Sequence, residues 1–110
     1  MMALPTVLAR EGGQFTLFVP ADLEAFTGHF PGDPILPGVV QVDWAIRLGA
    51  EVFGPLGPFS GLDQVKFLEP IRPGATLTLD LALDRGSLKF QYSGAQGRIT
   101  SGIARFGGAP

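Results

Sequence analysis

His29 is the only histidine in this chain of 110 residues, and Asp43 follows it by fourteen positions, inside an otherwise apolar segment. The stretch between them holds three prolines, two glycines and no lysine or arginine. Prolines fix φ and restrict the unfolded chain, so this is a stiff loop. A preorganised loop is what positions a group for catalysis. An imidazole on such a loop and a carboxylate just beyond it form a base and an acid. A lone histidine also caps turns, and a helical aspartate is ordinarily solvated. Asp43, however, has Val39, Val40, Val42, Ala45 and Ile46 as neighbours, which leave little polar face. Desolvation disfavours a carboxylate anion, so a carboxyl enclosed there would keep a proton to donate. Asp33 is the competing carboxylate. It lies in the turn, where such a side chain bonds local backbone N–H groups. Gly38 completes the set. At the start of a helix its N–H and the positive dipole end point outward, and a glycine lets substrate approach the backbone. Such an N–H stabilises negative charge developing on a carbonyl oxygen. Together they suit proton abstraction next to a thioester carbonyl with loss of a β-hydroxyl, although the spacing alone names no substrate.

The elements that must hold these groups follow from periodicity. Residues 1 to 12 read as a loose start or an edge strand. Gln14 to Val19 alternates and reads as a strand, and Pro20 to Phe26 fits one or two helical turns. The loop runs from Thr27 to Gly38. From Pro37 to about Phe53 the pattern predicts a long helix, with Pro37 in its first turn, where its missing N–H costs nothing. Apolar residues occur around nearly its whole circumference, which predicts a buried helix. Phe59 to Phe67 is a candidate strand and Leu68 to Gly74 a turn-rich connector. Leu77, Leu79, Leu81 and Leu83 alternate with Thr76, Thr78, Asp80 and Ala82. Asp84 to Ser87 reads as a hairpin turn. Leu88, Phe90 and Tyr92 alternate again, and Arg98 to Phe106 forms a last strand. The expectation is one α+β domain over residues 1–110, an antiparallel sheet wrapped around one long buried central helix, which is the hotdog architecture.

Composition narrows the chemistry. Charged residues are only 16% of the chain against 45% apolar, and soluble domains average about 25% charged. Part of the surface is therefore expected to be hidden in an oligomer. Net charge is −2 with the eight basic residues dispersed, which gives no basic face for nucleic acid. Cysteine is absent, so there is no thiolate nucleophile or cysteine metal site, and one histidine without a carboxylate cluster argues against any metal. No apolar run is long enough to span a membrane, and no signal-peptide pattern is present, so a cytoplasmic location is expected.

The run His29-Phe30-Pro31-Gly32-Asp33-Pro34-Ile35-Leu36-Pro37-Gly38 resembles the His-Phe-Pro-x-x-Pro-x-x-Pro-Gly motif of the hotdog-fold β-hydroxyacyl-acyl-carrier-protein dehydratases (the FabZ/FabA type), and Asp43 falls at that family's helical carboxylate. Gln64 to Gly74 matches a second family segment loosely, from Lys66 or a neighbour. Gln41-Val42-Asp43-Trp44-Ala45 departs from the usual helix sequence and looks like the ApeI-like dehydratases of aryl-polyene biosynthesis. The resemblance covers roughly residues 14 to 106. It implies a 3-hydroxyacyl-thioester dehydratase forming a trans-2-enoyl thioester, without a cofactor of its own. Substrate would arrive on the phosphopantetheine arm of an acidic acyl carrier protein. It further implies a homodimer, or a higher oligomer, whose sites take His29 from one subunit and Asp43 from the other. In these terms His29 removes the α-proton, Asp43 protonates the departing hydroxyl and the Gly38 N–H holds the enolate-like oxygen. Phe30, Ile35, Val39 and Trp44 are candidates for the substrate tunnel, though each could equally be plain core. Arg47, Arg72, Arg98 and Arg105 are candidates for carrier docking, each of which could equally be an ordinary solvated charge. A hotdog thioesterase and a non-catalytic carrier-binding subunit are the rival activities.

Overall fold

The computed structural model describes residues 3–27 and 32–107. Alternating apolar positions build the inner face of a six-stranded antiparallel sheet. Its strands are β1 (Thr6–Glu11), β2 (Gln14–Phe18), β3 (Phe59–Phe67), β4 (Thr76–Asp84), β5 (Ser87–Gly94) and β6 (Gly97–Phe106), in the order β1-β2-β4-β5-β6-β3. Phe15 and Leu17 of β2, Leu77, Leu79 and Leu81 of β4, and Leu88, Phe90 and Tyr92 of β5 all point inward and are buried. Period-2 burial of this kind lets one face of a sheet carry the core. The β4–β5 hairpin closes through Arg85 and Gly86, both at positive φ (51° and 78°). Two such residues make the tight turn whose twist matches that of paired strands.

One helix, α1 (Gly38–Phe53), crosses the inner face. Val40, Trp44 and Leu48 recur every four residues and, with Gln41 and Ala45, form the stripe buried against the sheet. Gly49 lets the helix come close to β5, since a Cβ there would lie 2.8 Å from Cδ2 of Leu88. Trp44 is fully buried and its Nε1 donates to the carbonyl of Ala3 at 2.9 Å, which ties the N-terminal segment over the core.

The described part of residues 1 to 12 takes the second of its two expected forms, an edge strand, β1, exposed along its whole length. The other strand and helix boundaries follow the periodicity closely, with two differences. The region expected to form one or two helical turns contains a single 3-10 turn, Glu24–Phe26, anchored by buried Ala25. Finally, α1 is not enclosed on all sides by its own sheet. Val39 is 74% exposed, while Asp43, Ile46 and Arg47 are only partly covered. The sheet lies under one side of the helix, and the other side faces an open groove beside edge strand β3. Among the described residues no helix is long and apolar enough to cross a membrane.

Candidate active site

The N-terminus of α1 is held in place without a side-chain cap. The carbonyl of Pro37 accepts from the N–H groups of both Val40 and Gln41, at 3.1 and 3.2 Å. Among the described residues the N–H groups of Gly38 and Val39 have no acceptor. Two donors and the positive end of the helix dipole thus meet at one point, a natural seat for a negatively charged oxygen. The approach to it is narrow. A Cβ on Gly38 would lie 2.6 Å from Cζ of Phe67, so the Phe67 ring rests on the glycine. The preceding loop is anchored twice. Leu36 donates its N–H to the carbonyl of Ile71 at 2.8 Å, and Arg72 donates to both carboxylate oxygens of Asp33, at 3.1 and 3.2 Å. The sequence placed Asp33 on local backbone N–H groups. The structure corrects this: the carboxylate reaches across to the connector after β3, where a guanidinium offers two donors in a matching fork.

From Gly38 a groove of about 740 Å³ runs between α1 and β3. Gly38, Val39, Val42, Asp43 and Ile46 line it from the helix, at positions that share one helical face. Phe59, Leu62, Val65 and Phe67 line it from the strand. The walls are almost wholly apolar, and Asp43 is the one carboxylate among them. In the single chain Asp43 is not enclosed as the sequence suggested. Its side chain is 41% exposed and accepts from Arg47 at 3.2 Å, one helical turn on. Beneath Asp43 lies Tyr92, whose hydroxyl is pushed well above the usual phenol range, first by burial and further by the Asp43 charge. Tyr92 therefore stays protonated at neutral pH and acts as a donor, giving its proton to the Gln41 carbonyl at 2.6 Å.

The other sequence candidates divide. His29 and Phe30 lie outside the described residues. Val39 lines the groove, and Ile35 lines a smaller hollow of about 360 Å³ on the other side of Gly38. Trp44, a tunnel candidate, belongs to the core: it sits on the opposite face of α1 and has no exposed surface. Three of the four candidate docking arginines are paired with carboxylates, Arg47 with Asp43, Arg72 with Asp33 and Arg105 with Asp63. Arg98 is exposed beside Glu69 and the β5–β6 turn. Among the described residues no group of three or more His, Asp or Glu side chains could hold a metal. The sequence did not single out Gln41, Tyr92 and Thr100, a buried polar cluster directly behind Gly38.

The family model described as ApeI-like, ApeI dehydratase, matches residues 9–103 of this chain. The chain belongs to the ApeI-like dehydratase family. Its nearby structural relatives agree with the assignment. A chain of the ApeI:P dehydratase heterocomplex from Xenorhabdus doucetiae superposes with a TM-score of 0.87 at 33% identity, covering 94% of this chain and 97% of that one. The 3-hydroxyacyl-(acyl-carrier-protein) dehydratase FabZ of Oenococcus oeni is 44% identical over 95 residues, 77% of this chain and 68% of the relative. FabZ of Enterococcus faecalis is 36% identical over 97 residues, 82% of this chain and 64% of the relative. The chain thus spans about two thirds of the length of these curated relatives. The likeness to the ApeI structure makes the fold the hotdog fold of that family. In this ApeI-like chain, Gly38 and Asp43 line one groove.

Proposed function

We propose that this protein removes water from 3-hydroxyacyl thioesters carried by acyl carrier protein, giving trans-2-enoyl thioesters in biosynthesis of the fatty-acid or aryl-polyene type. The observation that carries this reading is the groove itself. It places free N–H donors at a helix N-terminus, a carboxylate one and a half turns further on, and an apolar channel in continuous line. The thioester carbonyl would sit at the Gly38 N–H, where charge developing on its oxygen meets donors that need no reorganisation. His29 takes the α-proton. The C–O bond at the β-carbon then breaks as the Cα=Cβ bond forms, and Asp43 gives its proton to the leaving hydroxyl, which departs as water. No electrons are exchanged with a cofactor, and we assign none. The acyl chain lies along Val42, Ile46, Phe59 and Leu62.

In the single chain Asp43 is 41% exposed and paired with Arg47, so the groove is open to water where the leaving hydroxyl would sit. Closure of the groove by a second subunit would exclude that water. The assembly we favour is therefore a homodimer or higher oligomer in which His29 of one subunit works with Asp43 of the partner subunit. Arg98, exposed and without a carboxylate partner among the described residues, is the strongest of the proposed contacts to an acidic carrier. We place the reaction in the cytoplasm, where such carriers are charged with their acyl groups.

Mass spectrometry of 3-hydroxyacyl carrier protein incubated with the wild type, His29→Ala and Asp43→Asn tests the reading. The expected result is loss of one water by the wild type and no loss with either variant. Intact substrate across several chain lengths would sink it in favour of a carrier-binding subunit, and free carrier thiol would turn it into a thioesterase.

A further inference from the structure

The chemistry above leaves one buried cluster without a task. Gln41 is 3% exposed and Thr100 has no exposed surface, yet neither replaces a solvated group. Gln41 lies on the core face of α1, where an aliphatic side chain would bury more comfortably, because an amide must be paired to be tolerated there. Both ends of the amide are paired. Oε1 accepts from Oγ1 of Thr100 at 2.6 Å, and Nε2 donates to the carbonyl of Leu36 at 3.1 Å. The main chain of the same residue is held as well, since the Tyr92 hydroxyl donates to the Gln41 carbonyl at 2.6 Å. Thr100 and Tyr92 are direct partners across β6 and β5, so the two anchors are one rigid feature of the sheet.

The destination of the amide gives the cluster its meaning. Leu36 is the last residue before Pro37, and Pro37 brings no N–H and no side-chain cap to the helix start. The course of the chain into Gly38 therefore depends on what grips Leu36. Its N–H is fixed by Ile71, and its carbonyl is fixed by Gln41. We infer that Gln41 is a positioning residue: pinned by Thr100 and Tyr92, it sets the direction of the Leu36–Gly38 backbone and so aims the Gly38 N–H into the groove. This rests on the dehydratase reading for the purpose of that N–H, but not for its geometry.

The test separates positioning from mere stability. Gln41→Met keeps shape and volume but strands the Thr100 hydroxyl and the Leu36 carbonyl. Adding Thr100→Val removes the stranded hydroxyl and returns part of the lost stability. If Gln41 aims the Gly38 N–H, kcat falls at least about tenfold with KM within about twofold, and it stays down in the double variant although the melting temperature recovers. A structural role alone would restore kcat together with stability, which would overturn the inference. The Gly38 amide resonance, assigned in 15N-labelled protein, should move in both variants; an unmoved resonance with wild-type kcat would also overturn it. Thr100→Val alone serves if the methionine variants do not fold, with a several-fold loss of kcat expected and wild-type kcat counting against the idea. A wild type that dehydrates nothing defeats the proposed function, while the Gly38 resonance still decides the role of Gln41.

Discussion

A methyl group at position 38 would meet the ring of Phe67 at 2.6 Å, a separation that side chains do not hold. Phe67 is 53% exposed and can turn aside, so Gly38→Ala should fold, but with the ring displaced into the groove. The expected result is a kcat lower by about tenfold to a hundredfold with a melting temperature within a few degrees of wild type. Steady-state kinetics and thermal denaturation check both, and Phe67→Ala in the same chain should return part of the rate. Tyr92 makes a second residue-level expectation. Below a pH of about 10 both the folded and the unfolded chain keep its proton, and the stabilisation from its buried hydroxyl is complete. Above that, the unfolded chain loses the proton while burial and the Asp43 charge make the folded chain retain it. Stability therefore falls as pH rises toward the folded value. Tyr92→Phe should be about 1 kcal/mol less stable at neutral pH, and the gap should close above pH 10 in denaturant titrations; a constant gap would contradict the assignment. Gly38 and Asp43 were legible in the sequence because glycine and a carboxylate are conspicuous where they stand. Gln41 was not, because its partner Thr100 is 59 residues away and nothing local distinguishes a buried amide from a solvated one.

Elements were most legible where burial alternates. β4 and β5 present leucines and aromatics at every second position, and a shift of one residue would turn them all outward, so pattern and register agree. The helix was legible in extent but not in its surroundings. Val39 and Val40 are adjacent valines, yet the first is 74% exposed and the second 1%, because a step of one residue carries a side chain 100° around the axis. Apolar residues on both faces meant two different neighbours, the sheet on one side and the groove on the other, where the sequence suggested a single enclosure. The β4–β5 turn allows a clean test of element-level reasoning. Arg85 holds φ at 51°, a conformation that asparagine tolerates better than arginine. Arg85→Asn should raise stability by less than about 1 kcal/mol without touching activity, since Arg85 itself does not line the groove. Denaturant unfolding with an unchanged slope is the check, and a loss of stability would mean that the arginine side chain contributes packing of its own.

The whole molecule carries an apolar surface that a single chain does not need. Val39 on α1, with Phe59, Leu62 and Phe67 on edge strand β3, leaves a continuous patch around the mouth of the groove. Patches of this kind mark contact sites, and an edge strand with unpaired backbone groups invites a partner. The low share of charged residues already suggested hidden surface, but composition cannot say where it lies; the strand order does, by leaving β3 at the edge beside the helix. Val39→Glu isolates this interface. In the single chain the side chain at 39 is mostly in water and near a helix N-terminus, where a carboxylate is welcome, so the fold should be untouched. In an assembly that closes the groove the charge would be buried without a partner, at a cost of several kcal/mol. Light scattering should then give two or more copies for the wild type and one for the variant, with the same far-ultraviolet spectrum. Activity should vanish with the assembly, because the proposed site would lose both its cover and the residue that the second subunit brings to it. A wild type that runs as one copy, or a variant that keeps its partners, would leave the patch without a covering subunit and the proposed shared site without its second half.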